Sequence, residues 1–181
     1  MTMKAGDLSH LKNYFSEFVD DHASYKHIGD IEHFKVLKKG YIYLLMREDV
    51  GVAFFEVRKN YKALLIDVVY IDQSFRGKDV FEKFIWFLKK HKGGSKILIG
   101  DVHSEKMINA IKKLSKKFEI SWVKGNQKIK FDPEKINDFY GVGHTTGWQI
   151  MLENGGDFSG WPLFFNARSP DIKQYYYWLL E

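Results

Sequence analysis

The sequence contains no cysteine, which excludes disulfides, thiolate catalysis and cysteine-based zinc sites together. Arginine is scarce, confined to positions 47, 58, 76 and 168, so the net charge of +5 rests on lysine. No apolar run approaches the length needed to span a bilayer, and Met1-Thr2-Met3-Lys4-Ala5-Gly6-Asp7 lacks the apolar core of a signal peptide. These absences lead to the expectation of a cytoplasmic protein with no membrane partner. Walker-type loops, nucleophile elbows and helix-turn-helix signals are absent too.

What is present is a globular composition. With 181 residues, 45% hydrophobic and 17% aromatic, the chain can bury one sizeable core and is excluded from the disordered class. Lysines gather at Lys35, Lys38 and Lys39, at Lys89, Lys90 and Lys92, and at Lys112, Lys113, Lys116 and Lys117. On a continuous helix the last four would form an i, i+4 basic stripe, either a solvated face or an anion-binding one.

Leu8, Leu11, Tyr14, Phe15, Phe18 and Val19 have helical spacing after Asp7, a candidate N-cap. Ile31, Phe34 and Leu37 suggest a second short helix ended by Gly40. Residues 41–46 and 52–57 flank Arg47-Glu48-Asp49-Val50-Gly51 as a hairpin. Ala63-Leu64-Leu65-Ile66-Asp67-Val68-Val69-Tyr70-Ile71 reads as a strand covered on both faces, followed by a helix over 80–91 and a parallel strand over 96–102. Met107, Ile108, Ile111 and Leu114 mark another helix after Ser104, and Gly125-Asn126 joins two further strands. The expected class is mixed α/β, a twisted central sheet with flanking helices.

From 133 onward, glycines alternate with Tyr140, Trp148, Phe158, Trp161, Phe164 and Phe165. The expectation is a core over 1–132 and an aromatic-rich C-terminal extension over 133–181 packed on it, because about 45 residues is near the lower limit for independent folding. A partner-binding surface or a lid over a cleft fits the same composition.

The most informative segment is Ile71-Asp72-Gln73-Ser74-Phe75-Arg76-Gly77-Lys78-Asp79-Val80-Phe81, a short polar turn from strand to helix. A helix N-terminus offers unsatisfied backbone N–H groups to an anion. The segment resembles, without gaps, the acyl-CoA-binding turn of the GNAT superfamily of N-acyltransferases, V-D-P-E-Y-R-G-K-G-I-G. The element order between residues 7 and 131 resembles that fold as well. The last two glycines of the pattern are Asp79 and Phe81 here. Asp79 would set a carboxylate where phosphates sit; alternatively, Asp79-Val80-Phe81-Glu82 is a capping box.

The resemblance implies acetyl-CoA or another acyl-CoA as cofactor, held by Ile71, Arg76, Gly77, Lys78, Asp79 and Val80, and an amine-bearing substrate. It implies that the Ile71 N–H stabilises the oxyanion, and that an acid four residues earlier, Asp67, deprotonates the amine. Asp67 is also conspicuous on physical grounds, since a carboxylate within an apolar strand is costly to bury unless paired. Asp101 and His103 end the next strand, where parallel sheets place ligands, and His103 has the pKa range of a proton shuttle. A helix-capping or solvent-exposed role for His103 fits equally. The family's tyrosine that protonates the thiolate has no counterpart between residues 71 and 139. Tyr70 and Tyr140 are the substitutes.

Two other readings stand beside this one. The basic charge and altered turn are compatible with an enzyme similar to the phage Mom family, which modifies an adenine amine in DNA. A non-catalytic GNAT-like fold would instead bind a protein through the aromatic extension. His22, His27 and His33 near Asp20, Asp21 and Asp30 lack a metal-ligand pattern, and His144-Thr145-Thr146 lies in a glycine-bracketed loop.

Overall fold

The computed structural model describes residues 8–60, 63–91, 96–99, 105–118, 120–124, 127–130 and 176–180. The fold is mixed α/β. The described chain groups into two compact units, one built from Met3–Val57 and Val68–Gly93, the other from Arg58–Asp67 and Gly94–Glu181.

In the first unit, α1 (Leu8–Asp20) precedes a meander of β1 (Lys26–Ile31), β2 (Phe34–Lys39), β3 (Ile42–Arg47) and β4 (Val50–Asn60). Each neighbouring pair is antiparallel. The expected helix around Ile31, Phe34 and Leu37 is therefore a hairpin. Glu32 and His33 turn the chain with Glu32 at φ 51°, and Ile31 pairs directly with Phe34. The three-residue spacing of these apolar side chains imitated a helical face because the turn interrupts a strand alternation.

Alternation also explains how one sheet serves two helices. Successive residues Phe54 and Phe55 point to opposite faces. Phe54 meets Phe18 of α1 edge-on at 5.0 Å, and Phe55 stacks on Phe84 at 3.8 Å. Phe84 belongs to α2 (Val80–His91), whose Val80, Phe81, Phe84, Ile85, Phe87 and Leu88 are all buried. Tyr43 adds an edge contact to Phe84 at 5.5 Å, whereas its neighbour Leu44 joins Phe15, Phe54 and Tyr70 beneath α1. The central strands are thus apolar on both sides, as a strand sandwiched between helices requires.

The second unit contains the start of β5 (Ala63–Ile71), β6 (Lys96–Ile99), α3 (Glu105–Leu114), β7 (Ile120–Lys124), β8 (Gln127–Lys130) and β9 (Tyr176–Leu180). Residues 63–66 pair in parallel with 96–99, and the strand order continues β6, β9, β7, β8. The final strand β9 lies antiparallel between β6 and β7. The expected boundary at residue 132, and the glycine-aromatic stretch up to 175, lie outside the described residues. Helix α3 ends at Leu114, so Lys116 and Lys117 lie in the turn beyond it and the four lysines do not form one helical stripe. Among the described residues no helix is long and apolar enough to cross a membrane.

Candidate functional site

The end of β5 is fixed by its neighbour. The Asp72 N–H donates to the Val52 carbonyl of β4 at 2.9 Å. Backbone polar groups alternate sides along a strand, so the N–H and carbonyl of Ile71 lie on the edge turned away from β4. On that edge the Ile71 carbonyl accepts a hydrogen bond from Arg76 Nε at 2.9 Å. Arg76 thus reaches back over the turn and grips the strand end.

The turn itself is built from local contacts. The Asp72 carboxylate accepts from the Ser74 N–H at 3.2 Å, and the Phe75 N–H donates to the Asp72 carbonyl, winding Gln73–Phe75 into a short 3-10 turn. Phe75 is buried edge-on against Phe34 at 5.9 Å, which anchors the loop to the sheet. Lys78 Nζ lies 5.5 Å from the same ring's centroid, within cation–π range.

Two residues then take left-handed backbone conformations, Gly77 at φ 76° and Asp79 at φ 57°. Glycine occupies this region without strain, and among other residues Asn and Asp visit it most readily. The Asp79 position, where the GNAT pattern has glycine, therefore keeps a glycine-like backbone at small cost. The capping-box expectation is corrected here. The Asp79 carbonyl does accept the first helical bond, from the Lys83 N–H at 3.0 Å. A side-chain N-cap, however, uses an extended backbone, and the Asp79 carboxylate has no hydrogen-bond partner among the described residues. Phe81, the other departure, is 7% exposed and stacks on Phe55 at 6.2 Å, so its ring fills the core.

The consequence is a run of available donors. Among the described residues no backbone acceptor engages the N–H groups of Gly77, Lys78, Asp79, Val80 and Phe81. Such a nest at a helix start suits a phosphate oxygen.

The remaining candidates divide by position. Tyr70 is buried, with its ring 4.9 Å from Phe15 and 5.7 Å from Phe54. Burial raises its phenol pKa, the Asp72 carboxylate raises it further, and Arg76 opposes both. Asp67 lies in β5 four residues before Ile71, with its side chain outside the described residues. Asp101, His103, Tyr140 and the 144–146 loop are also outside them. The structure brings the turn residues together at the start of α2.

The early histidines have local partners: His22 Nδ1 is 2.7 Å from the Val19 carbonyl, and His27 Nε2 is 2.9 Å from Asp30. They border an open cavity of about 260 Å³ with Tyr25, Lys35, Met46 and Glu48. Among the described residues no three His, Asp or Glu side chains converge as a metal site.

No protein-family model and no curated protein matches the sequence. Among solved structures, the chain is similar to one from Bacteroides thetaiotaomicron assigned to the GNAT family of acetyltransferases. The match has a TM-score of 0.39 and 10% identity, covering 76% of this chain and 90% of the other. A likeness of that size carries no argument about activity.

Proposed function

We propose that this chain is an acyltransferase of the GNAT type, moving an acyl group from a thioester donor to an amine. In that reaction the amine nitrogen bonds to the acyl carbon, the carbon–sulfur bond breaks, the amine loses a proton and the thiolate gains one. The observation that carries the reading is the strand–turn–helix from Ile71 to Phe81. Its left-handed residues Gly77 and Asp79 precede the helix, and its N–H run has no backbone acceptor among the described residues.

The reading assigns the following roles. The Ile71 N–H, facing away from β4, donates to the oxygen that gains charge during attack. Arg76 acts as a positioning residue, since its hydrogen bond to the Ile71 carbonyl fixes the strand end that carries this donor. Asp67 is the base by its place in β5, with His103 as the second candidate. Tyr70 or Tyr140 supplies the thiolate's proton.

The backbone nest fits a phosphate, but the side chains around it fit CoA's pyrophosphate less well. Between residues 72 and 82 there are three carboxylates and two cations. The Mom-like reading gains no support from the described residues or from the similar chain.

Thiol release is the direct test, using acetyl-CoA and acetyl-4′-phosphopantetheine with amino acids, polyamines and lysine peptides as acceptors. Amine-dependent release with at least one donor is expected. If no thioester binds by calorimetry and none releases thiol beyond spontaneous hydrolysis, the acyltransferase reading is lost.

A further inference from the structure

We infer that the open cavity beside His22 and Tyr25 is a binding site for a free α-amino acid with an aliphatic side chain. It shares no residue with the turn after Ile71 and does not rest on the acyltransferase reading. At about 260 Å³ the cavity lies below the range of about 300–1,000 Å³ that holds drug-sized ligands, so it suits a molecule the size of one amino acid. Its floor is apolar. Strand alternation puts Lys35 and Leu37 on one face of β2, and the register sets Lys35 opposite Met46 of β3. Leu37 and Met46 are buried in the cluster beneath α1. The half-buried Tyr25 ring forms a wall, braced by Lys39, whose ammonium lies 5.6 Å from the ring centroid and bonds Asp21 at 2.8 Å.

The charged lining has both signs and does not neutralise itself. Lys35 and the β3–β4 turn residues Glu48 and Asp49 border the same cavity, yet none of the three forms an ion pair among the described residues. Asp30, which faces Lys35 across the β1–β2 register, is bonded to His27 at 2.9 Å, and the neighbouring Lys39 is paired with Asp21. Opposite charges that border one hollow without closing on each other leave a gap for a ligand carrying both signs. A simple anion would be drawn to Lys35 and repelled by the two carboxylates, and a simple cation the reverse. An amino acid satisfies both, its carboxylate toward Lys35 and its ammonium toward Glu48 and Asp49. His22 adds an acceptor for that ammonium. Its Nδ1–H donates to the Val19 carbonyl at 2.7 Å, a group that can only accept, so in the neutral ring Nε2 keeps its lone pair.

NMR titration of the isotope-labelled full chain, with no thioester present, tests this with leucine, with 4-methylpentanoate, which lacks the ammonium, and with 3-methylbutylamine, which lacks the carboxylate. Leucine is expected to bind at least about threefold more tightly than either analogue, since a solvent-exposed ion pair changes an equilibrium by up to about fivefold. Its amide shifts should centre on residues that line the cavity, His22, Tyr25, Lys35 and Glu48. Lys35→Gln should weaken leucine and 4-methylpentanoate without weakening 3-methylbutylamine. Glu48→Asn combined with Asp49→Asn should weaken leucine and 3-methylbutylamine without weakening 4-methylpentanoate. Asparagine is used because Glu48 holds a left-handed φ of 52°, which asparagine tolerates. All three positions are exposed, so these variants should melt like wild type. Leucine binding no tighter than either analogue, amide shifts confined to other segments, equal weakening of all three ligands in a variant that melts normally, or no leucine binding by about 10 mM overturns the inference. Thiol release is scored separately, so either reading can fail alone.

Discussion

Gly51 and Gly77 occur in the same unit and do opposite work. A Cβ at Gly51 would lie 2.6 Å from Phe15 Cζ and closer still to Val19 Cγ2, so this glycine exists to let α1 press onto β4. A Cβ at Gly77 would meet nothing within 4 Å, and this glycine is required by its φ of 76° instead. One region is closed by packing, with Phe15, Phe18 and Phe54 interlocked behind Gly51. The other is shaped by backbone dihedrals around open space, which is what access to main-chain N–H groups demands. Within one unit, then, one glycine marks where the chain packs closed and the other where its backbone borders open space.

The largest effect expected from this contrast is at Gly51. Gly51→Val should destabilise the protein by about 3 kcal/mol, the upper range for overpacking a well-filled site, read from urea denaturation midpoints at constant m. A loss below about 1 kcal/mol would mean that α1 shifts freely and that the packed region is less closed than its distances imply. Next comes Gly77→Ala, for which the contrast predicts only a conformational cost of about 1–2 kcal/mol, with no steric component. Its donor affinity should fall more than that of a surface alanine substitution such as Lys90→Ala, because the dihedrals shape the N–H run. Equal donor affinity in Gly77→Ala and wild type would break the assignment of this turn as the anion site.

How far each region could be read from sequence follows from the range of the interactions that build it. Helices α1 and α2 are visible because their apolar residues recur every three or four positions, and the β3–β4 and β7–β8 hairpins because their partners lie a few residues apart. Around Ile31, Phe34 and Leu37 the same periodicity misleads. A two-residue turn shifts the alternation, and β2 buries the consecutive residues Val36 and Leu37, which removes the strand signature. Strand β9 is invisible locally, since its partners in β6 and β7 lie more than fifty residues upstream. In the turn, the local sequence identifies a junction from strand to helix. The grip of Arg76 on the Ile71 carbonyl is not legible, because a long side chain's partner depends on the path of the loop. The left-handed backbone at Asp79 had a signal, an aspartate standing at a glycine position, but the same residue also begins a capping box.

The smallest predicted effect joins the two regions through Tyr70. Its ring packs with Phe15 and Phe54 on the closed side, while its phenol feels Asp72 and Arg76 from the turn. Burial raises the phenol pKa first, and Tyr43 is raised by burial as well. A tyrosine whose pKa is higher folded than unfolded binds its proton more tightly in the native state. Its stabilisation is therefore complete below about pH 10, the unfolded value, and is lost as pH rises from there through the folded value. Denaturation midpoints measured from pH 8 to 11 should decline above about pH 10, and Tyr70→Phe should decline less steeply. Arg76→Met should make the decline steeper, because removing the guanidinium takes away the one influence that lowers the Tyr70 pKa. If Tyr70→Phe and wild type decline in parallel, the phenol is not desolvated in the folded state, and Tyr70 belongs to the open region rather than to the packed one.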